Sequence, residues 1–190
     1  MIQGKQSGDA PVLMWFKRDL SVFDNAALTH ATQAGAVIPV YILEPELWQQ
    51  PDMSHRHFCF LQDSLADLSE DLCALGQGLV LRIGEPVSIL ADLHEKFGFT
   101  QLCSHQETWN GWTYARDQRV LAWCQNTGVT WHQPRRIGVT RGLNKRAGWA
   151  QRWQYYMAQP CLPAPTSLKK IDLASDPMPR PEAFLLAEDG

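Results

Sequence analysis

Two clusters in this sequence have the residue types and spacing to do chemistry. The first is Lys17-Arg18-Asp19, directly behind the apolar run Val12-Leu13-Met14-Trp15-Phe16. Two cations and a carboxylate at the end of a buried strand can hold an anionic ligand, or brace a neighbouring loop through an ion pair. The second covers residues 104–117 and reads Ser-His-Gln-Glu-Thr-Trp-Asn-Gly-Trp-Thr-Tyr-Ala-Arg-Asp. Aromatic faces stack on flat heterocycles, and Asn or Glu reads a heterocycle's polar edge. That composition suits a pocket for a planar chromophore, and it suits equally a tryptophan-rich interface to a partner domain. His105 on its own fits a hydrogen-bonded structural histidine better than a catalyst. Asp24 and Asn25 read most simply as helix caps.

Other chemistries have no residues to carry them. No Gly-x-Gly-x-x-Gly follows the first apolar run, which argues against dinucleotide binding in its usual mode. There is no Walker loop and no Gly-x-Ser-x-Gly nucleophile elbow. The five cysteines are scattered, with no Cys-x-x-Cys and no zinc-site spacing, and read as reduced, mostly buried thiols. Trp123, Trp131, Trp149 and Trp153 read as packing groups rather than a redox relay. Lys145, Arg146 and Arg152 beside Trp149 and Trp153 could touch nucleic acid, but a solvated helix face with a buried tryptophan side is the simpler reading.

The elements that must position these groups follow from apolar periodicity. Residues 11–16 form a buried strand, and a helix capped by Asp24 or Asn25 runs to about Ala34. Residues 37–43 form a second strand, closed by Glu44-Pro45, with Pro39 placing that residue near the strand's start. Ser54 caps a long helix over about 55–75 whose inner face is Phe58, Leu61, Leu65, Leu68 and Leu72. Residues 79–83 are a third strand. Pro86 opens a helix with Val87, Leu90, Leu93 and Phe97 inward. Residues 101–104 are a short fourth strand, about 113–126 a helix, and 129–132 a fifth strand. Strands alternating with helices predict an α/β domain: a Rossmann-like, doubly wound five-stranded parallel sheet with flanking helices. Ligands of such sheets bind beyond the carboxyl ends of the strands, where both clusters lie. After Pro134 comes a helix ending near Met157, then six of the twelve prolines. That composition predicts an extended C-terminal linker. The chain therefore divides into an α/β domain over 11–134 and a helix plus proline-rich linker over 135–190, leading toward a domain not contained in it.

At 190 residues the chain can bury a substantial core, and 45% hydrophobic with 19% charged residues is ordinary for a globular protein. A net charge of −3 gives no whole-domain attraction to nucleic acid. The polar N-terminus lacks a signal-peptide core, and no apolar run approaches the roughly 18 residues of a membrane span. A cytoplasmic monomer with no membrane partner is expected.

Several stretches in register resemble the front domain of the DNA photolyase–cryptochrome family. The opening motif matches at Trp15, Phe16, Arg18, Asp19, Leu20, Asp24, Asn25 and Leu28. Pro39-Val40-Tyr41-Ile42-Leu43-Glu44-Pro45 resembles the family's second strand. Residues 54–68 are similar to its Ser-x-x-Arg-x-x-Phe-Leu helix, and 79–86 to its third strand and exit. His105-Gln106-Glu107-Thr108 and Trp112-Thr113-Tyr114-x-Arg116-Asp117 resemble a variant found in some bacterial members. The resemblance spans about residues 11–165.

It implies a division of labour. The front α/β domain holds an antenna chromophore, a folate or a deazaflavin in many members, and passes excitation to FAD. FAD lies in a larger helical domain that also supplies the DNA surface and, in repair enzymes, drives photolyase chemistry. None of that domain's motifs is in this chain, so the fragment alone is expected to be inactive, with FAD only in the absent domain. The family's Arg after Asp-Leu is Ser21 here, and its His before Asp-Asn is Phe23. The folate-type positions hold Pro51 and Trp112-Thr113, so those contacts are missing. The positions used in deazaflavin-type members line up with Arg18, Tyr41, Glu107 and Arg116, which favours a deazaflavin-like antenna over folate. Placement at strand ends adds Asn110. The expected pocket border is therefore Arg18, Tyr41, Glu107, Asn110 and Arg116. The rival readings are a stand-alone nucleotide-binding domain and a protein-docking module.

Overall fold

The computed structural model describes residues 10–139 and 147–184. Its strands are β1 (Val12–Phe16), β2 (Val37–Leu43), β3 (Val80–Ile83), β4 (Gln101–Cys103) and β5 (Thr130–His132). They form one all-parallel sheet in the order β3-β2-β1-β4-β5. The connections hold α1 (Ala26–Ala34), α2 (Pro45–Trp48), α3 (His55–Ala74), α4 (Pro86–Phe97) and α5 (Gly111–Thr127), and α6 (Trp149–Met157) follows the sheet. This is the doubly wound α/β architecture that the alternating pattern predicts.

The two central strands explain why the sheet is covered on both faces. Every residue of β1 and β2 is buried. Val12, Met14 and Phe16 pack with Tyr41, Leu43 and the inner faces of α1 and α3. Leu13, Trp15, Ile38, Val40 and Ile42 pack on the other side with Leu90 and Leu93 of α4 and Val120 and Cys124 of α5. Alternate side chains of an extended strand point to opposite faces, so near-continuous apolar runs need helices on both. The buried face of α3 is Phe58, Leu61, Leu65, Leu68 and Leu72, each contributing about 1.5–3 kcal/mol by leaving water.

Local differences from the sequence reading have local causes. Asn25, not Asp24, caps α1: its side-chain oxygen accepts the Leu28 N–H at 2.9 Å. Asp24 sits at φ 52° and its carboxylate accepts the Leu162 N–H at 3.0 Å. The single turn α2, with Pro45 at its first positions, stands where a plain end to β2 was expected. Pro39 lies one residue ahead of the first β2–β3 pair, Val40–Val80, so its missing N–H breaks no bond to β3. In α6 no residue is buried, and Trp149 and Trp153 are each 40% exposed, which corrects the expected buried tryptophan side. Lys145 and Arg146 lie outside the described residues.

The proline-rich stretch is extended and lies against the domain. Its Leu168 N–H donates to Leu75 O, and Ile171 and Gln77 exchange hydrogen bonds. Gly76, at φ +105°, meets this stretch so closely that a Cβ would stand 2.9 Å from Leu168 O. Further on, Leu81 N–H donates to Ser175 Oγ, Ile83 N–H to the Asp176 carboxylate, and Asp176 N–H to Leu81 O. These bonds cover the edge of β3, which would otherwise be open to strand pairing.

Candidate functional site

The chain leaves β1 toward α1 on one face of the sheet and leaves β4 toward α5 on the other. The carboxyl ends of these adjacent strands therefore diverge, and a crevice opens between them. Lys17-Arg18-Asp19 follows β1 there, and the loop 104–110 follows β4. A cleft of about 350 Å³ occupies the crevice. Tyr41, Trp48 and Trp109 line it with flat side chains, Phe60 and His57 of α3 line it as well, and Trp15 borders it with its own side chain fully buried.

Four of the expected border residues, Arg18, Tyr41, Glu107 and Arg116, line this cleft. Asn110 does not. It is the N-cap of α5, accepting the Thr113 N–H at 2.9 Å, and its amide donates to the Asp52 carboxylate at 3.0 Å. Other lining residues escaped the sequence reading as site residues, Glu44, Trp48, His57 and Arg136 among them. Glu44 stands at a strand end but reads there as half of a closing Glu-Pro. Trp48 belongs to the unforeseen α2, His57 sits at the start of α3, and Arg136 lies past the last strand, where no pattern points inward.

Arg116 holds the site's elements together. It is 1% exposed, and its guanidinium spans β2, the β4 loop and α5. Nη1 donates to Glu44 at 2.6 Å and Nη2 to Glu107 at 2.5 Å. Nε and Nη2 both reach Asp117, at 3.1 and 2.9 Å. The face of its guanidinium lies 4.9 Å from the Trp15 ring centre. A forked donor can satisfy several carboxylates at once, which is why an arginine and not a lysine stands here.

The surrounding charges are buried and unequal. Four carboxyl groups, Asp19, Glu44, Glu107 and Asp117, face Lys17, Arg116 and, when protonated, His105. Burial pushes Glu44 up to about 7, in spite of Arg116, and its Oε2 has no hydrogen-bond partner. Burial also lowers Lys17, whose Nζ stands 3.5 Å from Asp117. Burial opposes ionisation of Asp19 too. There the His105 ring nitrogen at 2.6 Å and the Lys17 N–H at 3.0 Å outweigh it, holding the carboxyl below its ordinary value. Burial, with Glu44 and Glu107 nearby, raises the Tyr41 phenol, so it stays a neutral hydroxyl.

Beside the cleft is a second pocket of about 230 Å³ that shares Lys17, Arg18, Glu107, Trp109 and Arg136 with it and adds Asp19 and His105. Arg18 stacks on Trp109 at 4.1 Å. Among the described residues no His, Cys, Asp and Glu group has the arrangement of a metal site. No described helix is long and apolar enough to cross a membrane.

A doubly wound sheet, an aromatic cleft at its switch point and the lack of a glycine-rich phosphate loop define an α/β domain outside the dinucleotide-fingerprint class. The DNA photolyase family model matches residues 12–137. Cryptochrome DASH, chloroplastic/mitochondrial, of Arabidopsis thaliana is 34% identical over 111 residues, 55% of this chain and 20% of that protein. The deoxyribodipyrimidine photo-lyase of a Synechococcus species is 28% identical over 193 residues, 94% of this chain and 39% of that protein. Among solved structures, a bacterial class III photolyase from Agrobacterium tumefaciens superposes with a TM-score of 0.74 at 23% identity, over 96% of this chain and 39% of that one. An archaeal photolyase from Sulfolobus tokodaii, solved with two FAD molecules, gives 0.72 at 20% identity, over 92% of this chain and 41% of that one. The chain belongs to the DNA photolyase family. It spans about 20–39% of the length of these curated relatives.

Proposed function

We propose that this chain is the light-harvesting domain of a DNA photolyase or photolyase-like cryptochrome. In this reading the cleft between β1 and β4 holds a planar antenna chromophore of the deazaflavin or flavin type. Excitation then passes to FAD in a helical domain outside this chain, reached through residues 135–190, and DNA is engaged through that domain. The observation that carries the reading is the cleft itself, lined by Tyr41, Trp48 and Trp109 at the switch point. Its volume of about 350 Å³ falls within the range of roughly 300–1,000 Å³ typical of small-ligand pockets. The Sulfolobus photolyase, described with two FAD molecules and the implication of a novel light-harvesting cofactor, supports a flavin-class ring as the ligand.

The division of work among this chain's residues follows from the geometry. The aromatic walls stack on the ring, Tyr41 offers a neutral hydroxyl, and Arg116 fixes the walls relative to one another. The test is the full-length gene product purified in the dark. The expected result is a second absorption band beside that of oxidised flavin, with flavin emission excitable through that band. A flavin spectrum with no second chromophore, or a second band that does not sensitise the flavin, would count against the reading. The rival docking-module reading expects no small-molecule binding in the cleft at all.

A further inference from the structure

The mouth of the cleft carries positive charge that the fold does not use. Arg18 and Arg136 border both the cleft and the second pocket, and both are exposed. Among the described residues, neither guanidinium forms a salt bridge or hydrogen bond, and Arg18 only stacks on Trp109. The acids of the same wall are already engaged inward. Glu44 and Glu107 bind Arg116, and Asp19 binds His105. Among the described residues the rim is thus left with two guanidinium groups that have no ion-pair partner, both bordering the aromatic cleft and the second pocket beside it.

That arrangement matches a ligand with two chemically different ends. A flat ring fits the aromatic lining, and Arg18 and Arg136, which border both the cleft and the second pocket, are placed to meet a chain leaving that ring. We propose that the ligand of this cleft carries an anionic tail, a phosphate or a carboxylate, and that Arg18 and Arg136 clamp this tail at the mouth. The inference rests on reading the cleft as a chromophore site and adds the charge class of the ligand to it. Guanidinium forks bind oxyanions in bidentate fashion, and at an exposed site that attraction weakens with salt.

The experiment measures binding to the 190-residue chain by tryptophan quenching, with two pairs of probes. Riboflavin and FMN differ only in a phosphate. 6-Methylpterin and folic acid share the oxidised pterin ring and differ chiefly in the aminobenzoyl-glutamate chain with its carboxylates. The expected result is at least tenfold tighter binding of the tailed member in one pair, and the pair that shows it names the tail. In the chain carrying both Arg18→Ala and Arg136→Ala, the affinity ratio of the tailed probe to its bare ring should fall from at least tenfold to about one. Raising salt should erase the same increment. Equal binding within both pairs, or an equal loss for bare and tailed probes in the variant, would overturn the clamp while leaving the cleft reading intact. Binding of none of the four probes would overturn the cleft reading and the clamp with it.

Discussion

The crevice between β1 and β4 and the helix α6 are both rich in tryptophan, tyrosine and arginine, yet the fold treats them in opposite ways. In the crevice, Trp15 and Arg116 are fully buried, and a network of carboxylates fixes the arginine. In α6, Trp149 and Trp153 stack on each other with centroids 6.4 Å apart, and Tyr155 is 74% exposed. The ring of Trp153 lies so close over Gly138 that a Cβ there would have no room, so that face is fitted to the backbone beneath it. Composition alone cannot tell these regions apart. What separates them is convergence: three elements close on Arg116, whereas α6 sits on the outside of one loop.

Removing a cation from each region should show the contrast most strongly. Arg116→Ala leaves buried Glu44 and Glu107 without the guanidinium that pairs them, and leaves Asp117 to Lys17 at 3.5 Å. Breaking a buried ion pair in this way costs about 3–5 kcal/mol, read as a lower urea midpoint. Arg152→Ala in α6 loses one exposed bond to Ala147 O and should stay within about 0.5 kcal/mol. Equal losses from the two variants would erase the distinction between the regions.

A pH series comes next in size. Glu44 is raised from 4.5 to about 7 in the folded chain, so the folded state binds a proton that the unfolded state releases. Its contribution to stability is fully present below about 4.5 and is lost as pH rises through about 7. Each tenfold difference in proton affinity between the folded and unfolded states is worth about 1.4 kcal/mol. Asp19 behaves in the opposite sense. Its contribution is present above the ordinary carboxylate value and is lost as pH falls through its lowered folded value. Unfolding measured between about pH 4.5 and about pH 8 should therefore show wild-type stability declining toward alkaline pH, and Glu44→Gln should flatten the decline. A decline that survives the substitution would remove Glu44 as its source.

A smaller effect separates the two tryptophan sets by binding. Trp109 is 38% exposed and walls the cleft, so Trp109→Ala should weaken a flavin-type probe by up to roughly tenfold, within the 0.5–1.5 kcal/mol of an aromatic pair, with little change in stability. Trp153→Ala should leave that affinity unchanged. Loss of probe affinity in the α6 variant would move the binding site away from the crevice.

Much of the architecture was legible because periodicity is a strong signal. The α3 face of Phe58, Leu61, Leu65, Leu68 and Leu72 stands at helical spacing, and all five are buried. The α2 turn was not legible, because four residues opening on Pro45 give no period to read. Asn110 shows the limit of reading residue type. An Asn in an aromatic loop suits a pocket, but it also precedes a helix, and the capping bond to Thr113 is what the fold uses. The burial of Arg116 had no signal at all in α5, since its partners Glu44 and Glu107 arrive from β2 and from the loop after β4. Resemblance placed Arg116 near the site, whereas its structural role emerges only from the assembled network.

The tryptophans themselves can report where a flat ring binds. Indole N–H resonances of the chain would be recorded with and without a saturating flavin-type ring such as 8-hydroxy-5-deazariboflavin. Binding in the crevice predicts shifts for Trp48 and Trp109, which line the cleft, and none for Trp149 and Trp153 of α6. Shifts confined to α6, or a saturated spectrum identical to that of the free chain, would contradict it.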